Sequence, residues 1–142
     1  MLDRFVTEDA ILLTDSDYVA LADFRAALRV FMAFSEAKAG DVGLSPQQHQ
    51  ALLAIRGARA DQATVGYVAE RLVLKSHSAS ELINRLEALG LIERQVAQAD
   101  RRRTLLVLTS RAEALLAELS ATHREEIRRL KPILVELLGR FG

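Results

Sequence analysis

Two short segments of the chain concentrate side chains able to act on a polyanion. In Asp100-Arg101-Arg102-Arg103, three guanidiniums follow a carboxylate. Arginine offers five N–H donors in a fixed fork that matches phosphate oxygens, and it stays charged at any ordinary pH. The second segment is Lys75-Ser76-His77-Ser78-Ala79-Ser80-Glu81, with Arg85 four residues further on. Its ammonium, imidazole and hydroxyls can donate to phosphates or to base edges, whereas Glu81 can only accept or serve to cap Ser78. Plainer explanations stand beside these. The arginines could be a solvated tip, Ser78 and Ser80 could be helix caps, His77 could be merely exposed, and Arg85 could pair within the fold. Asp100 is better suited to orienting an arginine than to meeting a phosphate.

No other chemistry is offered. The chain has no Cys, so disulfides, thiolate zinc sites and thiol redox sensing are excluded. His49 and His123 lack metal-ligand spacing, and there is no Gly-rich phosphate loop and no nucleophile elbow. An enzyme, a metal and a cofactor are therefore not expected. The longest apolar runs, Tyr18–Ala22 and Ala51–Ile55, are far short of the roughly 20 residues a membrane span needs. Met1-Leu2-Asp3-Arg4-Phe5 lacks a secretory pattern. A cytoplasmic setting suits both features.

The elements that must position the two segments are legible from period and punctuation. Residues 1–16 are acidic and irregular around Ala10-Ile11-Leu12-Leu13, which suggests an arm. Asp15, Ser16 or Asp17 can cap a helix to about Ala39, striped by Leu21, Phe24, Leu28 and Phe31. Ser45-Pro46-Gln47-Gln48 is a capping box with proline at the first helical position. Thr64 can cap a short helix with Val65, Val68, Ala69 and Leu72 inward. After a break at Leu74-Lys75-Ser76, Ser76 or Ser78 can cap the next helix, and Ser78-Ala79-Ser80-Glu81 fits a capping box. That helix turns Leu82, Ile83, Leu86 and Leu89 inward and stops at Gly90. Residues 91–96 and 104–108 then read as strands around a charged connector. Thr109 caps a long helix that Pro132 should kink or break, leaving a final apolar helix through Ile133, Leu134, Leu137, Leu138 and Phe141.

Helix, break, helix, Gly, strand, charged tip, strand is the order of a helix-turn-helix with a wing. The fold class expected is mainly α with a small β-hairpin. One domain is expected from 142 residues. Within it, 1–16 would be the arm, 17–40 and 109–142 dimerisation helices, and 44–108 the winged helix-turn-helix. The apolar stripes at both chain ends would be large exposed patches in a monomer, which supports a homodimer.

Val65 to Thr109 resembles the MarR family of winged-helix transcriptional regulators. Val68-Ala69-Glu70-Arg71-Leu72 is similar to the family's L-A-x-x-L support helix. Asn84-Arg85-Leu86-Glu87-Ala88-Leu89-Gly90-Leu91-Ile92 is similar to D-R-L-E-x-x-G-L-V. Asp100-Arg101-Arg102-Arg103 with Leu108-Thr109 is similar to the wing pattern D-x-R … L-T. The resemblance implies a homodimer on a palindromic double-stranded DNA operator, acting as a repressor and in many members released by a small aromatic or phenolic effector. It makes Lys75, His77, Ser78, Ser80, Arg85, Arg101, Arg102 and Arg103 the candidate DNA contacts, with Arg102 at the wing arginine's place. In this family the effector sits between the dimer helices and the winged domain. Phe31, Phe34, His49 and Arg56 are the corresponding candidates here, although an aromatic cluster is more often core than ligand site. Many members carry a basic or neutral residue where Glu81 stands.

Formal net charge is zero, which at first opposes DNA binding. The acidic excess, however, is confined to residues 1–41, with four Lys or Arg against eight Asp or Glu. Residues 75–103 hold six cations against four carboxylates, half of those cations at Arg101–Arg103. Weak non-specific affinity that depends on the wing is the consequence. The competing expectation is a winged-helix module that binds protein, or a sensor with little DNA affinity, which Glu81 and the neutral total favour.

Overall fold

Helix starts in this chain are fixed mostly by short polar side chains. In the computed structural model, which describes residues 12–141, Ser45 Oγ accepts from the Gln48 amide at 3.1 Å and Gln48 Oε1 accepts from the Ser45 amide at 3.0 Å. With Pro46 first, this box opens α2 (Pro46–Gly57). Thr64 Oγ1 accepts from the Tyr67 amide at 3.1 Å and opens α3 (Val65–Leu72). The first helix, α1 (Asp15–Asp41), is capped one residue earlier than the sequence suggested. Thr14 Oγ1 accepts from the Asp17 amide at 3.2 Å while Asp17 Oδ2 accepts from the Thr14 amide at 2.9 Å. Asp17 is thus the third-residue partner of a reciprocal cap, not the cap itself. Of the arm expected at residues 1–16, residues 1–11 lie outside the described residues, and Asp15 and Ser16 are already helical.

Helix α4 (Ser76–Ala88) starts differently. Its cap position is Lys75, which makes no side-chain capping bond, so neither Ser76 nor Ser78 caps it and the box from Ser78 to Glu81 does not form. The register is set from the preceding helix. The Leu74 amide returns to Ala69 O at 2.8 Å, and Val73 takes a left-handed conformation, φ 54° and ψ 50°. That closes α3 and leaves Ser78 already inside the first turn of α4. A β-branched residue in this region costs about 1–2 kcal/mol, and Val73, 91% exposed, recovers little by packing.

Gly90 (φ +73°) ends α4 as expected, one residue after Leu89. Leu89 is exposed, not core, because it is the helix's C-cap. Strands β1 (Ile92–Val96) and β2 (Thr104–Leu108) pair antiparallel, Ile92 opposite Leu108 and Val96 opposite Thr104. The Leu106 amide donates to Ala63 O at 2.7 Å, tying β2 to the loop before α3. The last helix, α5 (Ser110–Phe141), is continuous through Pro132, so the expected break and separate final helix are absent. Proline removes only the bond to the Arg128 carbonyl, and half-buried Leu130, Ile133 and Leu134 on either side hold the flanking turns in place.

The chain divides into two compact units, residues 35–122 and residues 1–34 with 123–142. The core of the 35–122 unit joins Leu52 and Ile55 of α2, Val68 of α3, Leu82, Ile83 and Leu86 of α4, Ile92 and Leu106 of the hairpin, and Leu116 and Leu119 of α5. In the other unit, the His123 ring meets Phe31 and Phe34 edge-on at centroid distances of 5.9 and 5.6 Å. Arg140 bridges Asp17 at 3.1 Å and Glu136 at 2.7 Å. No described helix is long and apolar enough to cross a membrane.

The Asp17 carboxyl is held below its ordinary value of 3.8, first by the Thr14 backbone amide and then by Arg140. A depressed carboxyl stabilises the fold above its unfolded pKa, and that contribution fades as pH falls through the folded value. Asp17→Asn should therefore lower the melting temperature at pH 6–7. The gap to wild type should shrink below pH 4 and be lost near pH 2, a trend that thermal melts across this range measure.

Candidate nucleic-acid interface

Helix α4 is gripped along one side. Ala79, Leu82, Ile83 and Leu86 are buried, which leaves His77, Ser78, Glu81, Asn84 and Arg85 outside. His77, Glu81 and Arg85 follow at four-residue spacing, so they form one stripe along the exposed face. Lys75 sits at the N-terminal end of that face and is exposed, and Ser80 is half-buried at its edge. The side chains of Lys75, Ser78, Ser80 and Arg85 make no hydrogen bond or ion pair among the described residues. Arg85 thus does not pair within the fold. His77 Nε2 lies 3.3 Å from Glu81 Oε1, so Glu81 faces His77 instead of capping Ser78.

The hairpin tip separates three arginines that look alike in the sequence. Asp100 Oδ1 accepts from the Arg102 amide at 3.0 Å and lies 3.4 Å from Arg102 Nε. Arg102 is nonetheless 94% exposed, so the carboxylate shapes the turn and leaves most of the guanidinium open. Arg101 is exposed with no side-chain partner among the described residues. Arg103 is committed inward: its Nη2 donates to Asp61 O at 2.6 Å. Its role is to anchor the tip to the loop before α3, which the run of three arginines did not distinguish. The wing therefore presents Arg101 unpaired among the described residues, Arg102 largely exposed beside Asp100, and Arg103 as an anchor.

Two positioning arginines were not singled out from the sequence. Arg94 of β1 donates from Nη2 to Asn84 Oδ1 at 2.7 Å and from Nε to Glu87 Oε1 at 3.4 Å, joining the hairpin to α4. Arg111 donates to the Leu89 carbonyl at 3.1 Å. The only signal for Arg94 was its place on a strand face opposite the end of a polar helix.

The effector candidates fall in different units. Phe31 lines an apolar cavity of about 370 Å³ with Phe24, Leu28, Ile127, Leu130 and Leu134. Phe34 packs on His123. His49 is buried in α2, and Arg56 is exposed with its Nε 3.0 Å from Glu113 Oε2. No buried side-chain nitrogen or oxygen lacks a partner among the described residues, so the two buried histidines are satisfied. No cluster of three or more His, Asp or Glu among the described residues could hold a metal.

The turn at Asp100 yields a local test. Asp100→Ala should speed hydrogen exchange of the Arg102 and Arg103 amides by roughly fivefold, as expected for a lost bond worth about 1 kcal/mol. Asp100→Asn keeps an accepting oxygen and should stay close to wild type.

Residues 42–103 match the family model described as the MarR family. No curated protein matches the chain significantly. Among solved structures the chain is similar to AbsC, a MarR family transcriptional regulator from Streptomyces coelicolor, with 22% identity, TM-score 0.65, and 89% of this chain and 97% of that one covered. It is similar to a MepR mutant of S. aureus bound to an oligodeoxyribonucleotide, with 20% identity, TM-score 0.65, and 92% and 100% covered. It is also similar to CouR from Rhodococcus jostii bound to p-coumaroyl-CoA, with 18% identity, TM-score 0.65, and 79% and 81% covered. The fold is the one these regulators share, mainly helical with a two-stranded wing.

Proposed function

From the premise that residues 42–103 are a MarR-family segment, we propose that the protein is a sequence-specific DNA-binding transcriptional regulator, not an enzyme. It acts as a homodimer on a palindromic operator, and as a repressor. The observation that carries this reading is the shared scaffold of α4 and the hairpin. One buried core fixes both, while the outer face of α4, the Arg101 head and most of the Arg102 guanidinium stay exposed. An α-helix with one open face fits a major groove, and long cations beside it reach the flanking backbone or minor groove.

Homodimerisation is supported by the apolar residues that the 1–34 and 123–142 unit leaves exposed. Val19, Leu28, Val30, Ile127, Val135 and Leu138 each show at least two-fifths of their surface. Such area on one unit marks an association surface. Two-fold symmetry would place half-sites about 34 Å apart, or a multiple of that. The oligodeoxyribonucleotide on the MepR mutant and the p-coumaroyl-CoA on CouR support DNA as the target and a small organic effector as the release signal. Such an effector acts only if it binds better to the dimer whose reading helices are wrongly spaced. The cavity at Phe24 and Phe31 has the apolar lining that an aromatic effector needs.

Arg102→Ala tests the reading. Retention of duplex DNA across a salt series should show weaker binding to every sequence and a log–log salt slope reduced by about one per lost phosphate contact. Unchanged affinity and slope would remove the wing from the interface and favour a protein-binding module.

A further inference from the structure

Glu81 is the carboxylate on the His77–Glu81–Arg85 stripe of α4 and opposes a polyanion there; Glu87, near the end of the helix, is paired with Arg94. The Glu81 side chain is 59% exposed, and its sole partner among the described residues is His77, itself 84% exposed. It makes no capping bond. An exposed pair of this kind adds about 0–1 kcal/mol to a fold, so structure alone gives little reason for a carboxylate here. Its position is informative. Glu81 is the sixth residue of α4, on the stripe between His77 and Arg85, with Lys75 and Ser78 nearer the helix start. The N-terminal half of a reading helix is the part that meets base edges.

A carboxylate only accepts hydrogen bonds. In the major groove only cytosine N4 and adenine N6 donate. Adenine sets the N7 acceptor beside that donor, where it would repel the second carboxylate oxygen, and thymine and guanine offer acceptors. Cytosine is the base left. Its partner guanine offers N7 and O6, and the groups able to donate to them, Lys75, His77 and Ser78, lie on the same end of α4. His77 Nε2 lies 3.3 Å from Glu81 Oε1, so a group able to donate to guanine stands directly beside the carboxylate.

We infer that Glu81 is a specificity-determining residue that reads one cytosine in each half-site and weakens binding to sites without it. The inference rests on the DNA-binding reading above. It assigns two effects to one group. The carboxylate repels the phosphate backbone at every site, and only a correctly placed cytosine amino group offsets that repulsion. Discrimination then comes from penalising wrong sites as much as from favouring the right one.

The test is parallel selection from a random duplex pool at about 150 mM salt with wild type, Glu81→Gln and Glu81→Ala. All three keep the buried side of α4 intact, and circular dichroism verifies the fold. Wild type should recover a symmetric site with cytosine at one position per half-site. Glu81→Gln should move that position to adenine, because an amide can pair bidentately with N6 and N7. Glu81→Ala should flatten that position, cutting its base preference by roughly tenfold, while binding random duplex more tightly. A symmetric site with the same profile in all three proteins would overturn the inference and leave the regulator reading standing. No enriched site with wild type would overturn both.

Discussion

The placing of α4 against the hairpin depends on one hydroxyl. Thr109 Oγ1 donates to the Gly90 carbonyl at 2.8 Å and accepts from the Ala112 amide at 3.3 Å, while the Thr109 amide donates to Leu91 O at 3.0 Å. Gly90, at φ +73°, is where the chain leaves α4, and Leu91 is where it enters the hairpin. One residue, through its hydroxyl and its amide, therefore joins the end of α4, the entry to the hairpin and the start of α5. Arg111 on Leu89 O and Arg94 on Asn84 Oδ1 reinforce the same junction. These bonds fix α4 against the hairpin within one unit, which the proposed function requires, because there a helix meeting base edges must not rotate relative to a wing meeting the backbone.

Charge completes the picture. A neutral chain cannot rely on general attraction to a polyanion. Its acidic excess lies in residues 1–41, outside α4 and the hairpin. In α4 and the hairpin, Arg103 is spent on Asp61 O, Arg94 on Asn84 and Glu87, and Arg102 is paired with Asp100 at 3.4 Å, which leaves Lys75, Arg85 and Arg101 as the cations without a side-chain partner among the described residues. With so few cations and Glu81 among them, affinity must come from correctly matched contacts. In the proposed function, low non-specific binding and high dependence on sequence are two aspects of that one constraint.

Much of this was legible in the sequence because it is local. The caps at Ser45, Thr64 and Thr109, the stop at Gly90 and the hairpin bounds all rest on residues within a few positions of one another. What was not legible is set from further away. The start of α4 is decided by how α3 ends, with Val73 accepting a backbone conformation that normally calls for glycine. Continuity through Pro132 depends on packing around it, which local proline chemistry does not reveal. The division of labour among Arg101, Arg102 and Arg103 follows from a contact with Asp61, 42 residues away from Arg103. The effector set was the least legible. Phe31, Phe34, His49 and Arg56 were brought together by the family resemblance; here Phe31 and Phe34 share the His123 ring, while His49 and Arg56 belong to the other unit.

The central claim is that the exposed face of α4 lies in a major groove with the wing tip beside it, twice per site. Methylation protection on the bound duplex tests it directly, since guanine N7 reports the major groove and adenine N3 the minor groove. The account predicts two patches of N7 protection centred about 34 Å apart, or a multiple of that, flanked by N3 protection that disappears in Arg102→Ala. A single patch, or N3 protection without any at N7, would contradict it.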